Sequence, residues 1–148
     1  MSMTNAAEAA LLDLLFLNID FANIGDAAGL QNSATAGVFY VSLHTADPGE
    51  APASQQAQSE VAYTGYARVA VPRTSAGWTR TTSTIANTAL VQFAICTGGS
   101  AVATHFGIGT DASGNGNLIW KGPLTSSLTI SNGIQPQFVA GQLTVLSD

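Results

Sequence analysis

The sequence predicts a mainly β protein: a jelly-roll-like antiparallel β-sandwich of about eight strands, preceded by an N-terminal α-helix. Three observations predict it. From Val38 onward the chain runs in short β-branched and aromatic stretches punctuated by Gly, Asn, Pro and Ser. No segment after Val38 keeps a helical period over a useful length. Residues 5–18, NAAEAALLDLLFLN, are by contrast rich in Ala and Leu, which cost a helix least.

In that first element Asn5 stands where an N-cap belongs, and Glu8, three residues on, supplies the capping-box acid. Leu11, Leu12, Leu14, Leu15, Phe16 and Leu17 cannot share one face at about 100° per residue. The helix is therefore expected to be covered on more than one side, either wholly within its own core or by its own domain and a neighbour together, and the second reading makes Leu11 and Leu15 candidate interface residues. Residues 1–30 form an N-terminal helical segment ahead of a β-body at 38–148. The 148 residues together suit a single domain.

Strands are expected near 38–44, 66–72, 77–82, 88–95, 101–109, 117–122, 126–131, 136–139 and 142–146. Between the first two, residues 45–60 (TADPGEAPASQQAQSE) carry almost no large apolar side chain and read as an extended, exposed loop, either mobile in isolation or ordered along a partner. Pro72, which offers no N–H, points to a sheet edge or a bulge. The glycine-rich run 107–116 lacks the Lys-Ser/Thr pair of a phosphate-binding loop and opens no helix. It reads as a hairpin connection in which Gly114 and Gly116 take positive φ.

Only 9% of the residues are charged, against about a quarter in an ordinary domain. A neutral surface suits a subunit that works packed against others, because charges are depleted from interface centres. The net charge is −5, and every charged residue in 1–67 is acidic; Arg68, Arg73, Arg80 and Lys121 are the only Lys and Arg. Nucleic acid is a poor partner for such a chain, since phosphate binding needs clustered cations. The apolar run Ala9–Phe16 is interrupted by Asp13 and too short to span a bilayer, so no membrane association is expected. Cys96 is the single cysteine and cannot make an intramolecular disulfide, which fits production in a reducing cytosol.

The stretch SLHTADPGE, residues 42–50, looks chemical, but it is explained as the end of a strand followed by a turn that Pro48 and Gly49 favour. His44 and Asp47 fall short of the three or four ligands a zinc site needs. A set of Cys96, His105 and Asp111 would imitate a cysteine hydrolase, yet Cys96 follows the apolar run Leu90–Ile95 and reads as a small buried hydrophobe. No catalytic residue, metal or cofactor is expected. Arg68, Arg73, Trp78 and Arg80, clustered in GYARVAVPRTSAGWTR, are of the types that anchor interfaces, the equal alternative being solvated strand ends around a core tryptophan. With Asp47, Pro48, Leu11 and Leu15 they form the candidate interface set.

Several strings carry a resemblance: LHTADPGE (43–50), EVAYTGYARVAV (60–71), GW (77–78), CTGG (96–99), ATHFGIGT (103–110) and NGIQPQFVAGQLTV (132–145). They resemble a family of small tailed-phage structural proteins, often labelled tail-fibre proteins, and in particular the capsid cement, or decoration, proteins of Bordetella-type short-tailed phages. The resemblance implies a non-enzymatic jelly-roll subunit made in the bacterial host cytoplasm. It also implies a homodimer, with a trimer as the alternative, bound outside a capsid of HK97-fold major capsid protein. On that reading the protein bridges capsid subunits and binds neither nucleic acid nor membrane. The rival expectation is a tail-fibre or receptor-binding module whose loops, with Trp78 and Trp120, contact a host surface glycan.

Overall fold

The structure, a computed structural model, describes residues 2–50 and 55–146. Its fold class is the one expected: mainly β, with one short N-terminal helix and nine strands among the described residues. Close contacts divide the chain into two compact units. One comprises Met1–Val38, Pro72–Val91 and Phe138–Asp148, the other Phe39–Val71 and Gln92–Gln137.

In the first unit, helix α1 spans Asn5–Leu12 and continues through one π-helical turn, Asp13–Leu17. The cap is Thr4 rather than Asn5: its Oγ1 accepts from the Ala7 N–H at 3.4 Å, so Asn5 is already helical. Leu12 and Phe16, one turn apart, are buried, while Leu11, Leu14, Leu15 and Leu17 are half-covered around the remaining circumference. Asn18, at φ +56°, ends the element in the left-handed conformation that Asn tolerates. Three antiparallel strands complete this unit, in the order β3 (Trp78–Thr81), β4 (Thr84–Asn87), β9 (Thr144–Leu146). Phe16 meets the Trp78 ring edge-on with centroids 4.7 Å apart, a favoured aromatic geometry. Asn87, 2% exposed, ties the sheet to the chain that follows it. Its Oδ1 accepts from Leu143 N–H at 2.9 Å, and its Nδ2 donates to Ala89 O at 2.7 Å and Val139 O at 2.9 Å.

The second unit is built on a four-stranded sheet ordered β2 (Val69–Pro72), β1 (Val38–His44), β6 (Ala101–Gly109), β7 (Leu118–Ile130). β1 and β6 coincide with the expected strands, and Pro72 does close an edge strand. The ladders β1–β6 and β6–β7 are antiparallel, and the second is the expected hairpin, with Gly114 at φ +72° and Gly116 at φ +45° in its loop. β7 is one 13-residue strand rather than two. Gly122-Pro123 reads as punctuation, yet the chain stays in the sheet there by bulging: Ala103 faces Leu128 while His105 faces Pro123. Pro123 is tolerated because β7 is an edge, where a missing N–H leaves no ladder partner unsatisfied.

The expected strand 88–95 shrinks to β5 (Val91–Gln92), which pairs with β8 (Gln137–Phe138). Beyond it, single bonds such as Phe93 N–H to Pro136 O (3.0 Å) and Cys96 N–H to Ile134 O (2.9 Å) replace a regular ladder.

Candidate functional site

Strand β1 buries both of its faces. Val41 and Leu43 lie in the apolar interior, at 0% and 1% exposure, but so do Ser42 and His44, both at 0%, on the opposite side. The polar side is covered by residues 55–60, whose Gln56 is itself fully buried. The loop expected to be exposed throughout 45–60 is therefore partly interior: among its described residues Pro48 and Gln56 are buried, and Ala51–Ser54 lie outside the described residues. A hydrogen-bonding side chain was the missing term in that expectation. Gln56 Nε2 donates to Tyr40 O at 2.6 Å and to Ser42 Oγ at 3.1 Å, so a polar residue can be interior without loss.

His44 Nε2 is 2.9 Å from Ser42 Oγ, and its Nδ1 is 2.8 Å from Gln58 O. With a carbonyl at Nδ1, the ring carries its proton there and leaves Nε2 to accept from the serine hydroxyl. Burial holds the imidazole below its ordinary pKa, opposed by the Gln58 carbonyl and the Glu60 charge. A hydroxyl poised on an imidazole is the beginning of a nucleophile and base pair. Here both members are 0% exposed, and Gln56 occupies the serine oxygen, which leaves no room for a substrate. The fit depends on glycines in the neighbouring strand. A Cβ on Gly107 would stand 2.6 Å from His44 Nε2 and 2.8 Å from Ser42 Oγ, and one on Gly109 would stand 2.2 Å from Gln56 Oε1.

Around this pair, Arg68 forms a bidentate ion pair with Glu60, Nε to Oε1 and Nη2 to Oε2, both at 2.8 Å. It also donates to Gln56 Oε1 at 3.3 Å, Asp111 O at 2.9 Å and Gly114 O at 2.6 Å. The Glu60 hydrogen bond raises the guanidinium pKa. Tyr66 donates to Glu60 Oε1 at 2.7 Å, and burial drives its hydroxyl pKa far upward. The cluster thus locks residues 55–60 and the hairpin loop onto one sheet.

Arg68 is accordingly an internal residue, its side chain 2% exposed. Trp78 is fully buried, and its indole N–H has no acceptor among the described residues. Arg73 reaches the end of the N-terminal helix, donating from Nε to Leu15 O, from Nη2 to Leu14 O at 2.8 Å and from Nη1 to Ala36 O at 3.1 Å. It satisfies carbonyls that a helix C-terminus leaves unpaired, with charge of the favourable sign. Arg80 pairs with Asp13 on the same segment. Leu11 and Leu15 are half-buried beside it. Asp47 is exposed and its turn closes on itself, the Gly49 N–H donating to Oδ1 at 2.9 Å. Lys121 holds it at 2.8 Å, keeping its carboxyl below the usual range, and reaches Glu50 at 3.4 Å. Beside this bridge Gly49, Glu50, Ile119, Trp120 and Lys121 line a shallow depression of about 290 Å³.

Cys96 is buried against Gly98 O at 3.4 Å, and His105 Nδ1 lies 2.9 Å from Thr104 Oγ1. No hydrogen bond joins Cys96, His105 and Asp111 among the described residues, nor do those residues hold three or more His, Cys, Asp or Glu grouped as a metal site. Sequence reasoning missed Ser42, Gln56, Glu60 and Tyr66. The one available signal was the alternation in VFYVSLH, which sets Ser42 and His44 on a common face.

The family model described as podophage GP4 fiber I protein gp80 matches residues 2–146. No curated protein matches the chain.

Proposed function

Since the chain belongs to the podophage GP4 fiber I protein gp80 family, a family of phage structural proteins, we propose that it is a non-enzymatic virion component that acts by clamping other proteins. Specifically, it binds the outside of an HK97-fold capsid and bridges neighbouring major capsid subunits, as a homodimer or other small homo-oligomer. One observation carries this reading: the side chains that could do chemistry are consumed in internal bonds. Ser42, His44 and Gln56 are fully buried and Arg68 nearly so. What faces outward is mostly uncharged, with the exposed carboxylates of Asp20, Asp26, Asp47, Glu50 and Asp111 set among exposed Ile19, Ile24, Leu30, Ile95, Val102, Ile119 and Ile134. Many modest contacts of that kind, repeated over a lattice, give large avidity without a strong single site.

The word fiber in the family description favours a second reading, a fibre module that contacts a host surface glycan through the depression beside Trp120. Fractionated virions separate the two. The first expects the protein with isolated heads and a lower rupture temperature for heads assembled without it. Protein found only with purified tails, with heads equally sturdy in its absence, would overturn the capsid reading.

A further inference from the structure

Between the N-terminal helix and β1, residues 18–33 form a closed finger that its own polar groups hold. At the base Asn18 Nδ2 donates to Ser33 O at 2.8 Å, Asn18 Oδ1 accepts from Ser33 N–H at 2.9 Å, and Asn32 Nδ2 donates to Asn18 O at 3.0 Å. Asp20 Oδ1 accepts from Asn32 N–H at 2.7 Å. Phe21 and Leu30 exchange both backbone bonds, at 3.0 and 2.9 Å. Further out, Asp26 Oδ1 accepts from the N–H groups of Ala28 and Gly29, at 2.9 and 3.0 Å. Gly29, at φ +72°, packs so close to Phe21 O that a Cβ would stand 2.1 Å from it. The finger is thus pre-shaped, yet residues 22–28 are all exposed.

It presents Ile19, Ile24 and Leu30, at 50%, 41% and 45% exposure, with Asp20 and Asp26 and no cation. A second copy of this chain is a poor occupant, because all four of its side-chain cations are engaged. Arg68 holds Glu60, Arg73 holds helix carbonyls, Arg80 holds Asp13 and Lys121 holds Asp47 and Glu50. Unpaired Lys or Arg must come from a different protein.

We propose that the finger Asn18–Ser33 is the element that seats this protein on its virion partner, whose complementary face carries free Lys or Arg around an apolar hollow. The inference rests on the structural virion role above and names the contact through which it operates. Because the finger's shape is fixed before docking, little ordering entropy is lost on contact.

The test uses virion particles assembled without this protein, the full-length chain and two variants, Ile24→Ser and Ala27→Lys, at exposed positions with apolar side chains. Each variant is expected to melt like the wild type yet bind particles about tenfold more weakly, and wild-type binding is expected to weaken as salt rises. Wild-type binding with both variants unimpaired would overturn the finger's role while leaving the virion role standing. Variants that lose self-association but keep particle binding would assign the finger to a second copy and also overturn the proposal. Wild-type chain that binds no particle would remove both.

Discussion

At the scale of single residues, the buried cluster depends on two positions that have no side chain. Gly107 and Gly109 lie at ordinary φ, so the demand on them is space rather than backbone freedom. Gly109→Ala would press a methyl into Gln56 and the Asn117 carbonyl, and the expected loss is about 1–3 kcal/mol in chemical denaturation. His44 makes the cluster sensitive to acid. Its folded pKa is depressed by burial, so above the unfolded value of about 6.5 neither state is protonated and stability is flat. As pH falls below that value the unfolded chain takes a proton the folded one resists, and stability drops by up to about 1.4 kcal/mol per pH unit. His44→Gln is expected to be less stable at pH 7 but to lose that slope between pH about 6.5 and 5, as urea titrations at several pH values would register. A slope unchanged by the substitution would assign the acid sensitivity to other groups. None of this cluster except the polar alternation of β1 was readable beforehand, because a buried Gln56 looks like any other residue in a low-complexity run.

Secondary elements were legible where a pattern is local. β1 and β6 are runs rich in β-branched and aromatic residues, set off by glycines, and were expected at their observed bounds, and the hairpin loop announced itself through its glycines. β7 was cut in two because Gly-Pro is a turn signal unless the strand is an edge, and edge status is a property of the sheet, not of the string. β4 was overlooked because Thr84-Ile-Ala-Asn offers one large apolar residue, Ile85. Its stability comes from neighbours, with Asn87 bonding four residues of surrounding chain. Among the connections, residues 55–60 hang on Arg68. Arg68→Ala would strand Glu60 half-enclosed and leave the Asp111 and Gly114 carbonyls without their donor. Removing one partner of such a pair is expected to cost about 3–5 kcal/mol, and hydrogen exchange should report opening of residues 55–60 first. Uniform loss of protection along the chain would mean the arginine stabilises the fold without anchoring the loop.

Over the whole molecule, charge is scarce. A chain with so few charges has to place them carefully, and each cation here is committed to a partner in its own fold. The interface set expected from residue type is thereby divided: Arg68 and Trp78 are interior, while Arg73 and Arg80 hold the N-terminal segment. Residue type alone cannot separate an Arg that anchors a partner from one that caps a helix, since both tasks use the same fork of donors. The division of the aromatic residues has a practical consequence. The chain has two tryptophans, a sealed one beside Phe16 in the first unit and a partly wetted one near Phe39 in the second. Each unit therefore holds its own fluorophore. Trp120→Phe leaves a blue-shifted emitter watching one unit, and Trp78→Phe, which deletes an indole donor that has no acceptor among the described residues, leaves a redder one watching the other. Coincident melts of the two single-tryptophan proteins would reveal one cooperative transition, and separated melts would reveal two.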